Sequence, residues 1–376
     1  MKLVVISDTP MVRSDDGRLV VFEPTLREIE ALSSLFDHII WYGYVGDDQQ
    51  KGASRRPATD IIELCRFPTL KGGKNVLQKL RILIIVPVLT WVIARAMFRG
   101  DVIHTRGPSV PAAICIMLSW FFRGKVFWHK YAGDWSQESP PFMYAFQRWM
   151  LKRAKHCNVT VNGEWPGQPP HVHAFENPCF TDDELERATR IALSKRFDGP
   201  LILCFAGRLT DVKGGTQLLE AVRILQDTES RVFNLVVAGG GPLLDSLKQK
   251  ARDLGLNVHF TGPVQRKHLN AIYESSHVLI LPTRTEGLPK VVAEGAAFGC
   301  IPVVTNVSAV GQYVIHGKNG FLLESNTTDS IAKGLSELLH HPNLKAISEQ
   351  ATKLSPAFTY EKFKAKLAGV LGISVK

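Results

Sequence analysis

The chain has 376 residues, enough for two domains of ordinary size, and 45% of them are hydrophobic, enough to give each its own core. A formal net charge of +10 raises nucleic acid as a partner, but no helix-turn-helix, RNA-recognition or zinc pattern is present, so none is expected. Six scattered cysteines (Cys65, Cys115, Cys157, Cys179, Cys204 and Cys300) form no Cys-x-x-Cys pair, which argues against a disulfide framework or thiolate metal site and suits reduced thiols in a cytosolic protein.

Met1-Lys2 leads straight into the apolar run Leu3-Val4-Val5-Ile6-Ser7, so a strand is predicted there and no cleavable leader is expected. Further strands are predicted at 38–42, 61–65, 102–104, 126–130 and 157–161, with helices over 24–36, 75–98, 108–122 and 141–155. Charge is uneven along this half. Residues 51–99 hold ten Lys or Arg against Asp60 and Glu63, and residues 123–155 hold seven against Asp134 and Glu138. Inside the first group, residues 82–93 are apolar. Twelve residues are too few to span a bilayer, and Pro87 is expected to kink a helix there. A basic segment bearing an aromatic suits the surface of an anionic membrane; the other reading is a core helix with a solvated basic rim.

Regular structure breaks at residues 163–170 and 176–178, which are rich in Gly and Pro, so a hinge is expected between 163 and 200. Beyond it the scheme repeats. Strands are predicted at 201–206, 233–238, 258–261, 278–281 and 301–304, with helices near 216–226, 243–254, 266–275, 289–298 and 328–340. Such alternation implies two doubly wound parallel sheets, here taken as domains 1–175 and 176–356.

Two segments of the second half carry chemistry. The loop Gly207-Arg208-Leu209-Thr210-Asp211-Val212-Lys213-Gly214 joins a strand end to a helix start, where ligands bind in open parallel sheets. Arg208 offers a planar fork for phosphate oxygens and Lys213 a point charge. The run from Glu286 to Glu294 reads as strand, short loop and helix, with the backbone N–H groups of Gly287 and Leu288 at a helix start that favours an anion.

Together with Val237 to Pro242, Val258 to Gly262 and Gly317 to Phe321, these segments resemble the nucleotide-sugar-binding half of the family 4 glycosyltransferases. The resemblance covers roughly a third of the chain. It implies an α/β, GT-B architecture of two doubly wound Rossmann-like domains facing a central cleft, with a last helix, within 357–376, returning to the N-terminal domain. It implies a retaining transferase that passes a sugar from a nucleotide-sugar donor to a lipid-linked, surface-polysaccharide or other glycan acceptor, at the cytoplasmic face of the membrane. By the same carry-over Arg208 and Lys213 hold the diphosphate, Glu286 meets the donor sugar and Glu294 the ribose. Gly207, Gly240, Gly241, Gly287 and Leu288 offer backbone to the donor, and Val264 lies by the base. No Asp-x-Asp motif is present, so neither a metal nor another cofactor is expected.

On the acceptor side, Asp16 and Gly17 fall in a loop after the first strand, and His129 and Asp134 flank Ala132-Gly133, where the family often has His-Gly. Gln312 stands where a Glu is common. These departures keep two other functions open: another GT-B reaction, of epimerase or phosphorylase type, and an inactive sugar-nucleotide-binding subunit of an assembly complex. No lysine is marked for pyridoxal phosphate, which disfavours the phosphorylase.

Overall fold

A computed structural model describes residues 1–46, 53–68, 76–122, 124–229 and 233–374, with residues 76–84 described by their backbone alone. The cations expected to hold a membrane at Lys71 and Lys74 lie outside the described residues, as do the side chains of Lys79, Arg81 and Ile82 to Ile84. The chain forms two units, Met1–Phe175 with Phe363–Lys376, and Glu176–Lys362.

Unit 1 opens with β1 (Lys2–Arg13), β2 (Leu19–Phe22), α1 (Glu23–Glu30), β3 (His38–Val45), β4 (Ser54–Arg55) and β5 (Ile62–Arg66). It continues through α2 (Val76–Phe98), β6 (Val102–Gly107), α3 (Val110–Ser119), β7 (Val126–Tyr131), α4 (Phe142–Arg153), β8 (Asn158–Val161) and β9 (Val172–Ala174). β1 pairs in parallel with β3 and β6, and the sheet continues through β7, β8 and β9. Alternation along β1 fills two cores. Leu3 and Val5 pack on α1 residues, and Val4 and Ile6 pack on Leu89 and Ile93 of α2. A strand covered on both faces is apolar throughout, which is why its sequence carries no polar alternation.

Three expectations for this half differ from the structure. The first strand runs on to Arg13 and forms a hairpin with β2, Met11 opposite Val21, because those two side chains are fully buried. The first helix ends at Glu30, followed by a 3-10 turn over Ala31–Ser34. Pro87 sits inside a continuous α2, exposed, while Leu89, Ile93, Ala96 and Met97 are fully buried. That packing holds the helix across the proline, so α2 lies on the sheet.

Unit 2 runs through α5 (Asp182–Ser194), β10 (Leu201–Ala206), α6 (Gly215–Thr228), β11 (Phe233–Ala238), α7 (Leu244–Asp253), β12 (Val258–Gly262) and α8 (Arg266–Ser275). Then come β13 (Val278–Leu281), α9 (Lys290–Ala297), β14 (Ile301–Thr305), α10 (Val310–Tyr313), β15 (Phe321–Leu323), α11 (Thr328–Leu339) and α12 (Leu344–Thr352), and α13 (Tyr360–Leu371) belongs to unit 1 from Phe363 on. The strands are all parallel in the order β12-β11-β10-β13-β14-β15. α5 is an addition to the predicted elements: a capping box, Thr181 with Glu184, starts it inside the segment expected as a hinge. α13 carries Phe363, Leu367, Ala368 and Leu371 into the core of unit 1, with Phe363 edge-on to Phe175 at 5.9 Å between ring centroids.

Candidate active site

Strand order reverses in unit 2 between β10, which continues to β11, and β13, which continues to β14. At such a switch point the loops after the two strands leave in opposite directions and open a crevice at their C-terminal ends. The Arg208/Lys213 loop follows β10 and the Glu286 loop follows β13, so both segments singled out by sequence border one crevice. The loops are tied together. Lys213 Nζ donates to Glu286 Oε2 in an ion pair, Arg284 N donates to Val212 O at 2.8 Å, and Thr283 Oγ1 donates to Val212 O at 3.2 Å. Arg208 is exposed and forms no ion pair among the described residues. Glu286 is half-buried, and the N–H groups of Gly287 and Leu288 find no acceptor among the described residues. A backbone donor left unpaired in largely buried residues calls for an acceptor from outside the chain.

The glycines of the site serve protein contacts first. Gly241, at φ +152°, leaves its missing Cβ only 2.4 Å from Leu209 O, and Gly240 O accepts from Leu209 N at 2.9 Å. The loop after β11 thus braces the Arg208 loop; Gly207 opens that loop by donating to Ala238 O at 3.0 Å. At Gly214, left-handed at φ +72°, a Cβ would stand 2.3 Å from Pro282 O. Gly214→Ala is therefore expected to push the two loops apart with the fold kept, and to weaken by about tenfold or more the nucleotide binding that the resemblance implies here. Calorimetry with a nucleoside diphosphate, beside a far-UV spectrum, checks it.

Glu294 stands on α9, as expected, and its carboxylate is held from within unit 2. It is 4% exposed on α9, paired with Arg266 Nη1, and accepts from Tyr273 Oη at 3.2 Å. Arg266, at the start of α8, also donates to Cys179 O at 3.1 Å and covers the Phe180 ring. Burial works to lower the Arg266 pKa, but the Glu294 carboxylate outweighs it and the pKa rises above its ordinary value. As placed, Glu294 is first a structural anion. Val264 is half-buried against the unit 2 core just before α8.

In unit 1 the acceptor-side residues separate. Asp16 and Gly17 form the tip of the β1–β2 hairpin, where Asp16 is bound by Ser14 Oγ at 2.5 Å and paired with Arg56. Those two contacts hold its carboxyl at about 2. His129 is fully buried on β7, its Nδ1 2.8 Å from Thr105 Oγ1, and burial, with His156, pushes its pKa down to about 3. A neutral ring without solvent access packs within the sheet. Asp134 accepts from Ser136 N at 2.9 Å and closes its own turn.

Sequence reading passed over Asp8. It stands exposed in β1 and lines a pocket of about 470 Å³ with Tyr44, Pro108, Ser109, Tyr144 and Gln147. Although the residue is exposed, protein crowded around the carboxyl desolvates it enough to raise it above the ordinary range, against its own backbone N–H and Arg106. The signal was available: a carboxylate just past the apolar run of a first parallel strand. Beneath it, buried Glu28 holds Arg106 at 2.7 Å and Lys130 at 2.6 Å, fixing the ends of β6 and β7.

Residues 187–354 match the family model described as glycosyl transferases group 1. Over 167 residues the chain is 34% identical to an uncharacterized glycosyltransferase of Haemophilus influenzae, covering 44% of this chain and 47% of that one. Over 175 residues it is 28% identical to a Campylobacter jejuni alpha-1,4-N-acetyl-D-galactosaminyltransferase acting on an undecaprenol-linked glycan, covering 46% of each. The chain thus spans about half the length of the curated relatives it matches. Among solved structures it is similar to Alr3699/HepE from Anabaena, in complex with UDP and glucose, with a TM-score of 0.69 at 15% identity over 99% of each chain. It is also similar to sucrose-phosphate synthase from Thermosynechococcus elongatus, with a TM-score of 0.70 at 16% identity over 98% of each. The fold is GT-B, with two Rossmann-like domains.

Proposed function

We propose that the chain is a retaining glycosyltransferase that moves a sugar from a nucleotide-sugar donor to a lipid-linked or other glycan acceptor at the cytoplasmic face of the membrane. The observation that carries this reading is the Lys213–Glu286 pair at the switch point of unit 2, inside the stretch that matches the group 1 model. The donor diphosphate takes its place against Arg208, Lys213 and the free N–H groups of Gly287 and Leu288. The acceptor oxygen bonds to the anomeric carbon, the donor C–O bond breaks with its electrons on the nucleoside diphosphate, and the hydroxyl proton passes to the leaving phosphate. Negative charge grows where the cations stand, so they stabilise the transition state more than the ground state. Glu286, drawn from Lys213 by the incoming phosphate, accepts from the donor sugar's hydroxyls. The reaction needs no metal, because the charge that a metal would neutralise is met by these side chains.

Unit 1 takes the acceptor in the Asp8 pocket, where a carboxylate accepts from sugar hydroxyls and Tyr44, Tyr144 and Pro108 supply apolar faces. Incubation with a panel of nucleotide sugars is expected to release nucleoside diphosphate only when a glycan acceptor is supplied, and EDTA to leave the rate unchanged. Asp8→Asn is expected to raise the acceptor KM roughly tenfold with donor binding intact. Turnover that does not depend on acceptor, or loss of donor binding in Asp8→Asn, would contradict the assignment.

A further inference from the structure

The helices α2, α3 and α4 form one layer on the unit 1 sheet, α3 touching both of its neighbours. In a βα unit each helix runs back against its parallel strands, so the C-terminal ends of all three lie at one edge of the layer. That edge is apolar and open. Trp91 and Phe98 on α2, Trp120 and Phe121 after α3, and Trp149 on α4 are 60%, 71%, 49%, 81% and 50% exposed. Phe98 packs on Phe122 at 5.0 Å between centroids, Trp120 on His156 at 5.2 Å, and Trp149 on Phe146 at 5.9 Å. Cations stand among them, with Arg95 4.9 Å over Trp91 and Arg153 4.4 Å over Trp149. The three helices contain no Asp or Glu at all.

Cations at helix C-termini are favourable against the macrodipole, so charge alone marks no site. Five exposed large aromatics on three adjoining helices are not explained in that way. We infer that this edge of the helical layer is a membrane-docking face for anionic phospholipid. Trp and Phe settle at the boundary between headgroup and acyl chain while Arg and Lys meet lipid phosphate. A second copy of the chain is a poorer occupant, because a two-fold contact would set this basic face against itself. Docking here needs no span, and among the described residues no helix is long and apolar enough to cross a membrane. The inference rests on the function proposed above only in setting the chain at a membrane: the Asp8 pocket is lined by residues at the N-terminal ends of α3 and α4, the opposite end of those helices, so its test is independent of sugar transfer.

Flotation of the full chain with neutral phosphatidylcholine vesicles and with vesicles containing phosphatidylglycerol is the experiment. Binding is expected to the anionic vesicles alone and to fade as salt rises. Arg95→Gln with Arg153→Gln is expected to weaken it about 25-fold, each basic residue near the surface being worth about fivefold. Trp120→Ala with Phe121→Ala is expected to weaken it at unchanged charge, while transfer to a soluble glycan persists in both variants. No preference for anionic lipid at low salt, binding indifferent to the aromatic substitutions, or a dimer that those substitutions dissolve would each overturn the inference. Failed flotation beside intact transfer leaves the enzyme reading standing, and the reverse result isolates the membrane face.

Discussion

Lys213→Ala is expected to lower kcat/KM by about 10²-fold or more, roughly 2.7 kcal/mol of lost transition-state stabilisation, while the fold survives. The side chain is 16% exposed in a loop and has one carboxylate partner, itself 30% exposed, so removing it leaves no charge deep in the core. Arg208→Ala should have a similar effect, since that side chain is exposed and holds nothing within the protein. The pairing adds a finer expectation. If the incoming diphosphate takes Lys213 from Glu286, the two residues act as a unit, and Lys213→Ala combined with Glu286→Gln should lose less than the sum of the single losses. Glu286→Gln by itself should reduce turnover more than donor affinity. Steady-state kinetics of the three variants, with calorimetry of nucleoside diphosphate binding, checks this. Near-normal turnover in Lys213→Ala would remove the diphosphate from this crevice.

Glu294→Gln is expected to destabilise unit 2 by roughly 3–5 kcal/mol, because it leaves the Arg266 guanidinium charged and without its counter-ion in a buried site. The carboxylate is 4% exposed and Arg266 is walled by Phe180, so water is poorly placed to replace it. For a unit of this size the loss corresponds to a fall of about 10 °C in its melting transition. Replacing both partners, Glu294→Gln with Arg266→Met, should recover much of it, since the buried charge then disappears with its partner. Calorimetric scans of the two variants separate this role from the one implied by family resemblance. A Glu294→Gln protein that melts normally but no longer binds nucleotide would return the residue to the ribose.

The two parallel sheets were legible in the sequence because each central strand is covered on both faces. Val278-Leu279-Ile280-Leu281 is apolar without alternation, and a turn and an amphipathic helix on either side complete the unit. The loops after β10 and β13 could be marked for the same reason: a strand end, a glycine and a helix start are local features. The capping box at Thr181 to Glu184 is local too, two side chains three positions apart. The partners of the charged side chains could not be read in this way. Lys213 meets Glu286 across 73 residues because the chain passes through β11 and β12 and then crosses back to lay β13 beside β10. Glu294 meets Arg266 because α8 and α9 flank β13, and Asp8 borders a pocket because α3 and α4 close over the end of β1. Periodicity and capping depend on residues within a turn or two of one another, so sequence alone carries them. Which carboxylate faces a cation, and which is left for a ligand, depends on strand order and register, which exist only once the sheet is assembled.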